Sequence, residues 1–342
     1  MILRNSSRRC RWFASLLLLT NCVAIGCESS VAGPAKAVGP YRVVATTGMV
    51  ADLVRFVGGD RCHVTALMGA GVDPHLYKPT RSDVKRLLDA DAVFYSGLHL
   101  EGRMTESFVH LSRGGKPVVA ITDDLPRDRL RSWEEDSNQF DPHVWMDVSL
   151  WSQCLPLIAR TFSELDPEHA AEYQQRAETL RLQLDDLDQK IHSAIQSIPG
   201  KQRVLITAHD AFGYFSQRYG IEVRSIQGVS TESEAGVGDV NDLVDFVVER
   251  RIPAVFVESS INSKTVQAVR EGAQSRGFNV RIGAELFSDA MGPAGTYEGT
   301  YIGMMDANAT RIARALAGDV PARGLYGKLP EAESVQPDSH GN

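Results

Sequence analysis

The sequence contains the tripeptide Asp-Pro-His twice, as Asp73-Pro74-His75 and as Asp141-Pro142-His143. Proline fixes its own φ and moves the preceding residue out of the helical region, so each histidine follows a stiff, non-helical backbone. An imidazole held in this way is suited to metal coordination. One such tripeptide alone is equally compatible with an ordinary turn, so the metal-site hypothesis depends on further ligands elsewhere in the chain.

Two further candidate ligands lie in the second half of the chain. His209 follows the apolar run Val204-Leu205-Ile206, and Asp289 lies in a loop that contains glycine and proline. Three imidazoles and one carboxylate suit Zn²⁺ well and Mn²⁺ acceptably, whereas Cu⁺ and iron–sulfur clusters need sulfur ligands, which do not accompany these histidines. The spacing of His75, His143, His209 and Asp289 predicts one site for a divalent metal ion, assembled by the whole fold.

The elements that must position these ligands alternate between strand-like and helix-like runs, a pattern typical of α/β units with parallel sheets. Thr80 and Asp83 form a capping-box pattern that predicts the start of a helix. Loops at the carboxyl ends of parallel strands carry ligand sites, so we expect two similar α/β lobes that each supply two ligands to the cleft between them. The predicted strands span residues 41–47, 62–68, 92–96 and 117–121 in the first lobe and 203–208, 221–226, 253–258 and 279–284 in the second.

A single long helix is predicted between the two lobes. Asp166 is the expected N-cap, Pro167 takes the first helical position, and Pro199-Gly200 ends the helix. Its length of about 50 Å is enough to run along both lobes, and such a stiff connection predicts only a small closing movement. Its apolar residues recur at alternating steps of four and three, at Tyr173, Ala177, Leu180, Leu184, Leu187, Ile191, Ala194 and Ile198.

The N-terminus has the features of an export signal. A basic segment with Arg4, Arg8, Arg9 and Arg11 precedes an apolar run over residues 12–19 that is too short to span a bilayer. Small residues then lead to Cys27, which resembles the lipidation site of bacterial lipoproteins; a plain signal peptide cut nearby is the alternative. Either form of this signal predicts that the protein leaves the cytoplasm.

These observations predict six segments. They are a lipoprotein-type export signal over residues 1–27, a flexible tether over 28–40, an N-terminal α/β lobe over 41–163, a connecting helix over 164–199, a C-terminal α/β lobe over 200–318 and a disordered tail over 319–342.

Composition and the remaining polar residues narrow the function further. The net charge of −7 argues against a nucleic-acid partner, which normally meets a basic surface. We expect Cys62 and Cys154 to be unpaired and not to bind the metal. His99 is predicted to be a packing or second-layer residue, and Glu258 is predicted to cap a helix that begins near Ser263 rather than to support a ligand. Structural or solvent-facing roles are expected for His63, His110, His169 and His192, and an incidental one for His340.

Six segments of the chain carry a resemblance to a known family. They read VVATTGMVADLVRFVGGDR, GVDPHLYKPTRSDVKRLLDADAVFYSGLHLEG, DPHVWMD, LITAHDAFGYFSQRYGIEV, VFVESSINSKT and LFSDAMGPAGTYEGTYIGMM. Over residues 41–318 the sequence resembles the zinc- and manganese-binding solute receptors of bacterial ABC importers, the family of TroA, ZnuA and PsaA.

The resemblance implies two α/β lobes joined by one long helix, with His75, His143, His209 and Asp289 as the metal ligands. It also implies a monomeric, non-enzymatic receptor outside the cytoplasm that delivers Zn²⁺ or Mn²⁺ to a membrane permease driven by a cytoplasmic ATPase. Typical manganese receptors of the family have glutamate in place of His209. Many zinc receptors carry a histidine-rich insertion where residues 123–140 are short, acidic and free of histidine. Neither ion is therefore ranked first.

Two alternatives belong to other functional classes. A metal-dependent hydrolase would use the same histidines with Glu258 or Glu298 as general base, although the sequence lacks a His-Glu-x-x-His motif. A surface lipoprotein acting as an adhesin is the other alternative, for which the sequence offers no obvious partner surface. Transport is the preferred interpretation because the candidate ligands are divided between the two lobes.

Overall fold

The computed structural model describes residues 40–133 and 136–331. The predicted export signal, Cys27, the tether up to residue 39 and the end of the tail therefore lie outside the described residues. Within the described part of the chain, none of the helices has both the length and the apolar character needed to cross a membrane.

The first half of the chain forms a four-stranded parallel sheet, as predicted. Its strands are ordered β2-β1-β3-β4, so the first strand of the chain lies inside the sheet. The predicted capping box is confirmed, because the Thr80 side chain accepts the N–H of Asp83 while the Asp83 carboxylate accepts the N–H of Thr80. The elements are β1 (Tyr41–Ala45), α1 (Gly48–Gly58), β2 (Cys62–Ala66), α2 (Arg81–Asp89), β3 (Ala92–Tyr95), α3 (Thr105–Arg113) and β4 (Val118–Ala120).

An antiparallel hairpin that sequence patterns did not predict follows this sheet. Strand β5 (Ser132–Trp133) pairs with β6 (Asp136–Phe140), and the pairing shifts register at Trp133. Two helices, α4 (Val148–Trp151) and α5 (Leu155–Leu165), then complete the first half. The hairpin matters for the site because it ends directly before the second Asp-Pro-His tripeptide.

The predicted long helix is present as α6 (Ala170–Gln196), but it begins later than expected. Residues Pro167–His169 form a separate 3₁₀ turn, and the Asp166 carboxylate does not cap it. Instead, that carboxylate accepts hydrogen bonds from the Arg61 guanidinium and the Tyr173 hydroxyl. The predicted apolar stripe is buried, and α6 contacts α1, α5 and the helix over residues 301–315.

The second half repeats the parallel arrangement, with two six-residue strands and two strands of only two residues. Strand β7 pairs with β8, and β9 pairs with β10, while a hydrogen bond from the Phe256 N–H to the Ile206 carbonyl connects the two pairs. The resulting order, β8-β7-β9-β10, matches that of the first half, so the expected α/β fold with two similar lobes is confirmed. The elements are β7 (Val204–His209), α7 (Gly213–Tyr219), β8 (Glu222–Gln227), α8 (Val237–Arg250), β9 (Ala254–Val255), α9 (Lys264–Ser275), β10 (Arg281–Ile282) and α10 (Tyr301–Ala315).

The chain after α10 packs against the protein as far as residue 331, which corrects part of the predicted disordered tail. Leu329 is only 4% exposed and belongs to the main core. The Leu325 N–H donates to Asp306 at 2.7 Å, and the Tyr326 hydroxyl donates to Asp186 on α6. Residues 319–331 are therefore part of the folded protein, and residues 332–342 lie outside the described chain.

Candidate metal centre

The structure brings the four candidate ligands together. Nε2 of His143 lies 3.3 Å from Nε2 of His75 and 3.3 Å from Oδ1 of Asp289. Nε2 of His209 lies 3.2 Å from Oδ2 of Asp289. One ligand atom from each residue lies within 4.8 Å of all the others. The four side chains are buried, and His75 is the most accessible of them at 7% exposure.

The two Asp-Pro-His tripeptides share one hydrogen bond between the aspartate and the histidine backbone. The Asp73 carboxylate accepts the N–H of His75 at 2.8 Å, and the Asp141 carboxylate accepts the N–H of His143 at 2.9 Å. Each aspartate thus fixes the backbone of its own histidine across the intervening proline. This shared hydrogen bond explains why the same three residues occur twice around one site.

The candidate ligands do not all occupy the positions that the fold pattern predicted. His75 lies in the irregular loop after β2 and Asp289 in the loop between β10 and α10, as expected. His143, however, follows the antiparallel hairpin rather than a parallel strand, and His209 is the last residue of β7 rather than part of the loop after it. The site is therefore assembled from the end of one strand, two loops and the residues that follow the hairpin.

Two carboxylates orient the rings of His143 and His209. Oδ1 of Asp141 lies 2.8 Å from Nδ1 of His143, and Oε2 of Glu258 lies 2.6 Å from Nδ1 of His209. A carboxylate at Nδ1 leaves Nε2 free to face the centre of the site, which is the usual outer layer of a histidine metal site.

Glu258 is thus a functional residue that sequence reasoning misassigned. It was predicted to cap a helix, but α9 begins at Lys264 without a side-chain cap. Glu258 instead accepts the N–H groups of Ala208 and His209 as well as Nδ1 of His209. The sequence did contain a signal, since Glu258 follows a strand whose carboxyl end lies beside that of β7.

Comparison with known proteins identifies the family. A family model described as zinc-uptake complex component A, periplasmic (ZnuA), matches residues 43–315. The chain belongs to the ZnuA family. The resemblance read from the six segments is therefore confirmed over most of the chain.

Three relatives illustrate the range within and around the ZnuA family. The zinc-binding protein TroA of Treponema pallidum is 49% identical over 83% of this chain and 91% of its own length, and its solved structure matches with a TM-score of 0.78 over 81% of this chain and 99% of that one. The manganese-binding lipoprotein MntA of Bacillus subtilis is 45% identical over 85% of this chain and 94% of its own length. The metal ABC transporter substrate-binding lipoprotein SsaB of Streptococcus sanguinis is 29% identical over 89% of this chain and 98% of its own length.

The pKa values of the candidate ligands in this ZnuA-family chain are shifted in different directions by burial and by neighbouring charges. Burial raises the pKa of Asp289 on its own, but His209 and His143 outweigh it and hold that pKa well below its usual value. Burial lowers the pKa of His143, yet Asp141 and Asp289 raise it to about 9. The pKa of His209 is raised by Glu258 and Asp289 against the same effect of burial. For His75 burial dominates and lowers the pKa to about 3, so this imidazole is neutral.

Trp145 is a second residue of the site that sequence reasoning missed. Its ring packs edge-on against His143 with 5.2 Å between ring centroids. Its Nε1 donates to the carbonyl of Ser288 at 2.9 Å, and its own carbonyl accepts the Tyr301 hydroxyl at 2.6 Å. Trp145 therefore links the backbone next to Asp289 with the ring of His143, across the two halves of the chain.

The remaining candidates of the sequence lie away from this centre. His99 was predicted to pack or to support a ligand, but its side chain is exposed and its backbone has a φ of +65°. Cys62 and Cys154 are both unpaired, as expected, and neither belongs to the cluster. The structure places the other described histidines outside the site as well, with His63, His110 and His192 exposed and His169 beside Asp166.

Proposed function

We propose that this protein is an extracytoplasmic receptor that captures Zn²⁺ or Mn²⁺ and delivers it to the permease of an ABC-type importer. The proposal depends on one observation, the convergence of three imidazole nitrogens and one carboxylate in a buried centre. We assign His75, His143, His209 and Asp289 as the ligands. Four protein ligands complete a tetrahedral shell, as in sites that hold a metal rather than activate water on it.

Neither glutamate considered as the general base of the hydrolase alternative is free. Glu258 is occupied by two backbone N–H groups and by His209, so it orients a ligand. Glu298 accepts a hydrogen bond from the Arg311 guanidinium at 2.8 Å. The names of the relatives, which are metal-binding proteins and components of transporters, favour the receptor over both the hydrolase and the adhesin.

The donor set fits both ions and does not rank them in the cell. Imidazole favours borderline ions such as Zn²⁺, and the carboxylate also accepts Mn²⁺. In vitro, Zn²⁺ is expected to displace Mn²⁺ because it stands higher in the Irving–Williams order. TroA and MntA, described above at 49% and 45% identity, are named for zinc and for manganese respectively.

The location and organisation of the chain form part of the proposal. Residues 1–27 are proposed as an export signal with lipid attached to Cys27, residues 28–40 as a tether, and residues 41–163 and 200–318 as two lobes joined by the helical segment 164–199. The folded part is proposed to act as a monomer. Mass spectrometry of the N-terminal peptide from membranes tests acylation, since a plain cleaved signal would leave an unmodified peptide.

Titration calorimetry with Zn²⁺ and Mn²⁺ tests the ligand assignment. His75→Ala and Asp289→Ala should each weaken binding by more than the roughly 10- to 100-fold that is typical of changes in the outer layer. The matched control is His63→Ala, because His63 is exposed on β2 and lies outside the cluster. Unchanged affinity in both ligand variants, with circular dichroism showing a native fold, would refute the assignment.

A further inference from the structure

The three histidine rings of the centre differ in the hydrogen bonds that fix their orientation. The rings of His143 and His209 are each fixed by a carboxylate at Nδ1. Among the described residues, no side chain hydrogen-bonds to Nδ1 of His75, which is also the most exposed of the ligands. His75 belongs to the irregular chain between β2 and α2. It is therefore the ligand whose position depends most on how its loop is held.

That loop is fastened to the other half of the protein through Asp73. One oxygen of the Asp73 carboxylate accepts the N–H of His75 at 2.8 Å, and the other accepts the Thr231 hydroxyl at 2.7 Å. Thr231 lies between β8 and α8, so this hydrogen bond joins two segments 158 residues apart. Asp73 thus connects Thr231 of the second lobe to the backbone N–H of His75 through two hydrogen bonds.

A second contact holds the same two lobes together next to Thr231. Glu232 accepts hydrogen bonds from Nε and Nη2 of Arg103, at 3.0 and 2.9 Å. Arg103 lies between β3 and α3 in the first half of the chain. Both partners of this ion pair are substantially exposed, so it adds little stability by itself. Its position shows that the segment around Thr231 lies against the first lobe at two successive residues.

We propose that Thr231 is a positioning residue for His75: through Asp73 it holds the loop of this ligand in place and sets the rate at which the bound metal leaves. The inference rests on the proposed function, since it assumes that His75 binds the metal. Metal can leave a four-ligand shell only when a ligand moves away. Of the four, His75 has the least support from its surroundings, and the Thr231 hydroxyl supplies the support that comes from across the cleft.

The experiment measures release of Zn²⁺ in a stopped-flow instrument. Zinc-loaded full-length protein is mixed with a chromophoric chelator at concentrations where the rate no longer depends on the chelator. Thr231→Val removes the hydroxyl while keeping the shape of the side chain. It should accelerate release roughly fivefold, the change that corresponds to the loss of about 1 kcal/mol of hydrogen bonding. The association rate should change less than about twofold, because changes within one binding site act mostly on dissociation.

Three further variants separate positioning from a general structural effect. Thr231→Ser restores a hydroxyl and should restore slow release. Thr179→Val makes the same chemical change at an exposed position of α6, where the hydroxyl bonds only to the carbonyl of Gln175, and should leave release unchanged. In an Asp73→Ala background, Thr231→Val should have no further effect, since the contact acts through Asp73.

Each outcome is decisive. Release from Thr231→Val at the wild-type rate overturns the inference, as does an equal acceleration by Thr231→Val in the Asp73→Ala background. Failure of Thr231→Ser to restore slow release also overturns it. A wild-type protein that binds neither Zn²⁺ nor Mn²⁺ refutes the proposed function itself, which distinguishes that failure from a failure of the positioning role.

Discussion

Replacing Glu258 by glutamine tests whether the outer layer of the site controls metal affinity. In the structure, Oε1 of Glu258 accepts two backbone N–H groups, at 2.7 and 3.0 Å, while Oε2 faces Nδ1 of His209 at 2.6 Å. A glutamine can keep the two backbone bonds only by turning its NH₂ group toward Nδ1. His209 would then carry its proton on Nε2, the nitrogen that must bind the metal.

The cost of the substitution follows from this geometry. To bind metal in Glu258→Gln, His209 must carry its proton on Nδ1. That N–H then either faces the glutamine NH₂ group, another donor, or the glutamine amide turns over and leaves the backbone N–H groups of Ala208 and His209 unpaired. A buried unpaired polar group costs about 1–3 kcal/mol, which corresponds to roughly 5- to 150-fold in Kd. The glutamine side chain has almost the same volume as glutamate, so loss of packing contributes little.

The assay is competition calorimetry for Zn²⁺ and Mn²⁺, combined with thermal unfolding of the metal-free protein. Glu101→Gln is the matched control, because the Glu101 carboxylate is also buried and also accepts two backbone N–H groups, those of Ser96 and Gly97, together with the Thr46 hydroxyl. Both variants should lose similar stability, while only Glu258→Gln should lose affinity. Binding by Glu258→Gln within threefold of the wild type, or an equal loss in Glu101→Gln, would refute this account of the outer layer.

Three further predictions concern the folded body. Leu184→Ala should lower the free energy of unfolding by about 2–5 kcal/mol because Leu184 is buried on α6. Leu182→Ala, on the exposed face of the same helix, should change it by less than about 0.5 kcal/mol. Urea titration measures both, and equal effects would contradict the predicted orientation of the stripe. Burial raises the pKa of the Cys62 thiol to about 12 and also raises the pKa of Cys154, so both stay protonated and unreactive at pH 8. Peptide mapping after iodoacetamide treatment at pH 8 should find both cysteines unlabelled in the native protein and labelled in urea. Rapid labelling of the native protein would show that these thiols are accessible. Free metal at 100 times Kd should raise the free energy of unfolding by about 2.7 kcal/mol, seen as a higher Tm that is absent from Asp289→Ala; equal Tm shifts in that variant would place the stabilising metal elsewhere.

The sequence predicted the repeated sheet and the ligand types because both leave strong local patterns. The strands and α6 show clear periodicity, and histidine after proline at a strand end is a distinctive arrangement. The prediction of where the candidate ligands lie relative to the strands was less accurate. The hairpin before Asp141 was missed because β5 has only two residues and its register is irregular, so it has no pattern of alternation to detect.

Contacts between residues far apart in the chain were the main features of the structure that the sequence could not predict. Glu258 supports His209 from 49 positions away; its place after a strand indicated a position near the site but did not identify His209 as its partner. The chain after α10 was misjudged for a similar reason. Its prolines and charges are typical of disordered segments, whereas Leu329 packs into a core contributed by earlier parts of the chain.

The position of α10 has a consequence for when the metal can be loaded. This last helix packs against α6, and its first residue is tied to the first lobe, with the Tyr301 N–H donating to Asp52 and the Tyr301 hydroxyl to the carbonyl of Trp145. The backbone that carries His143 therefore lacks one of its supports until α10 has been synthesised. Asp289 itself also emerges late. A nascent chain that ends before Asp289 lacks one of the four candidate ligands as well as this support, so the complete centre forms only after both have been synthesised.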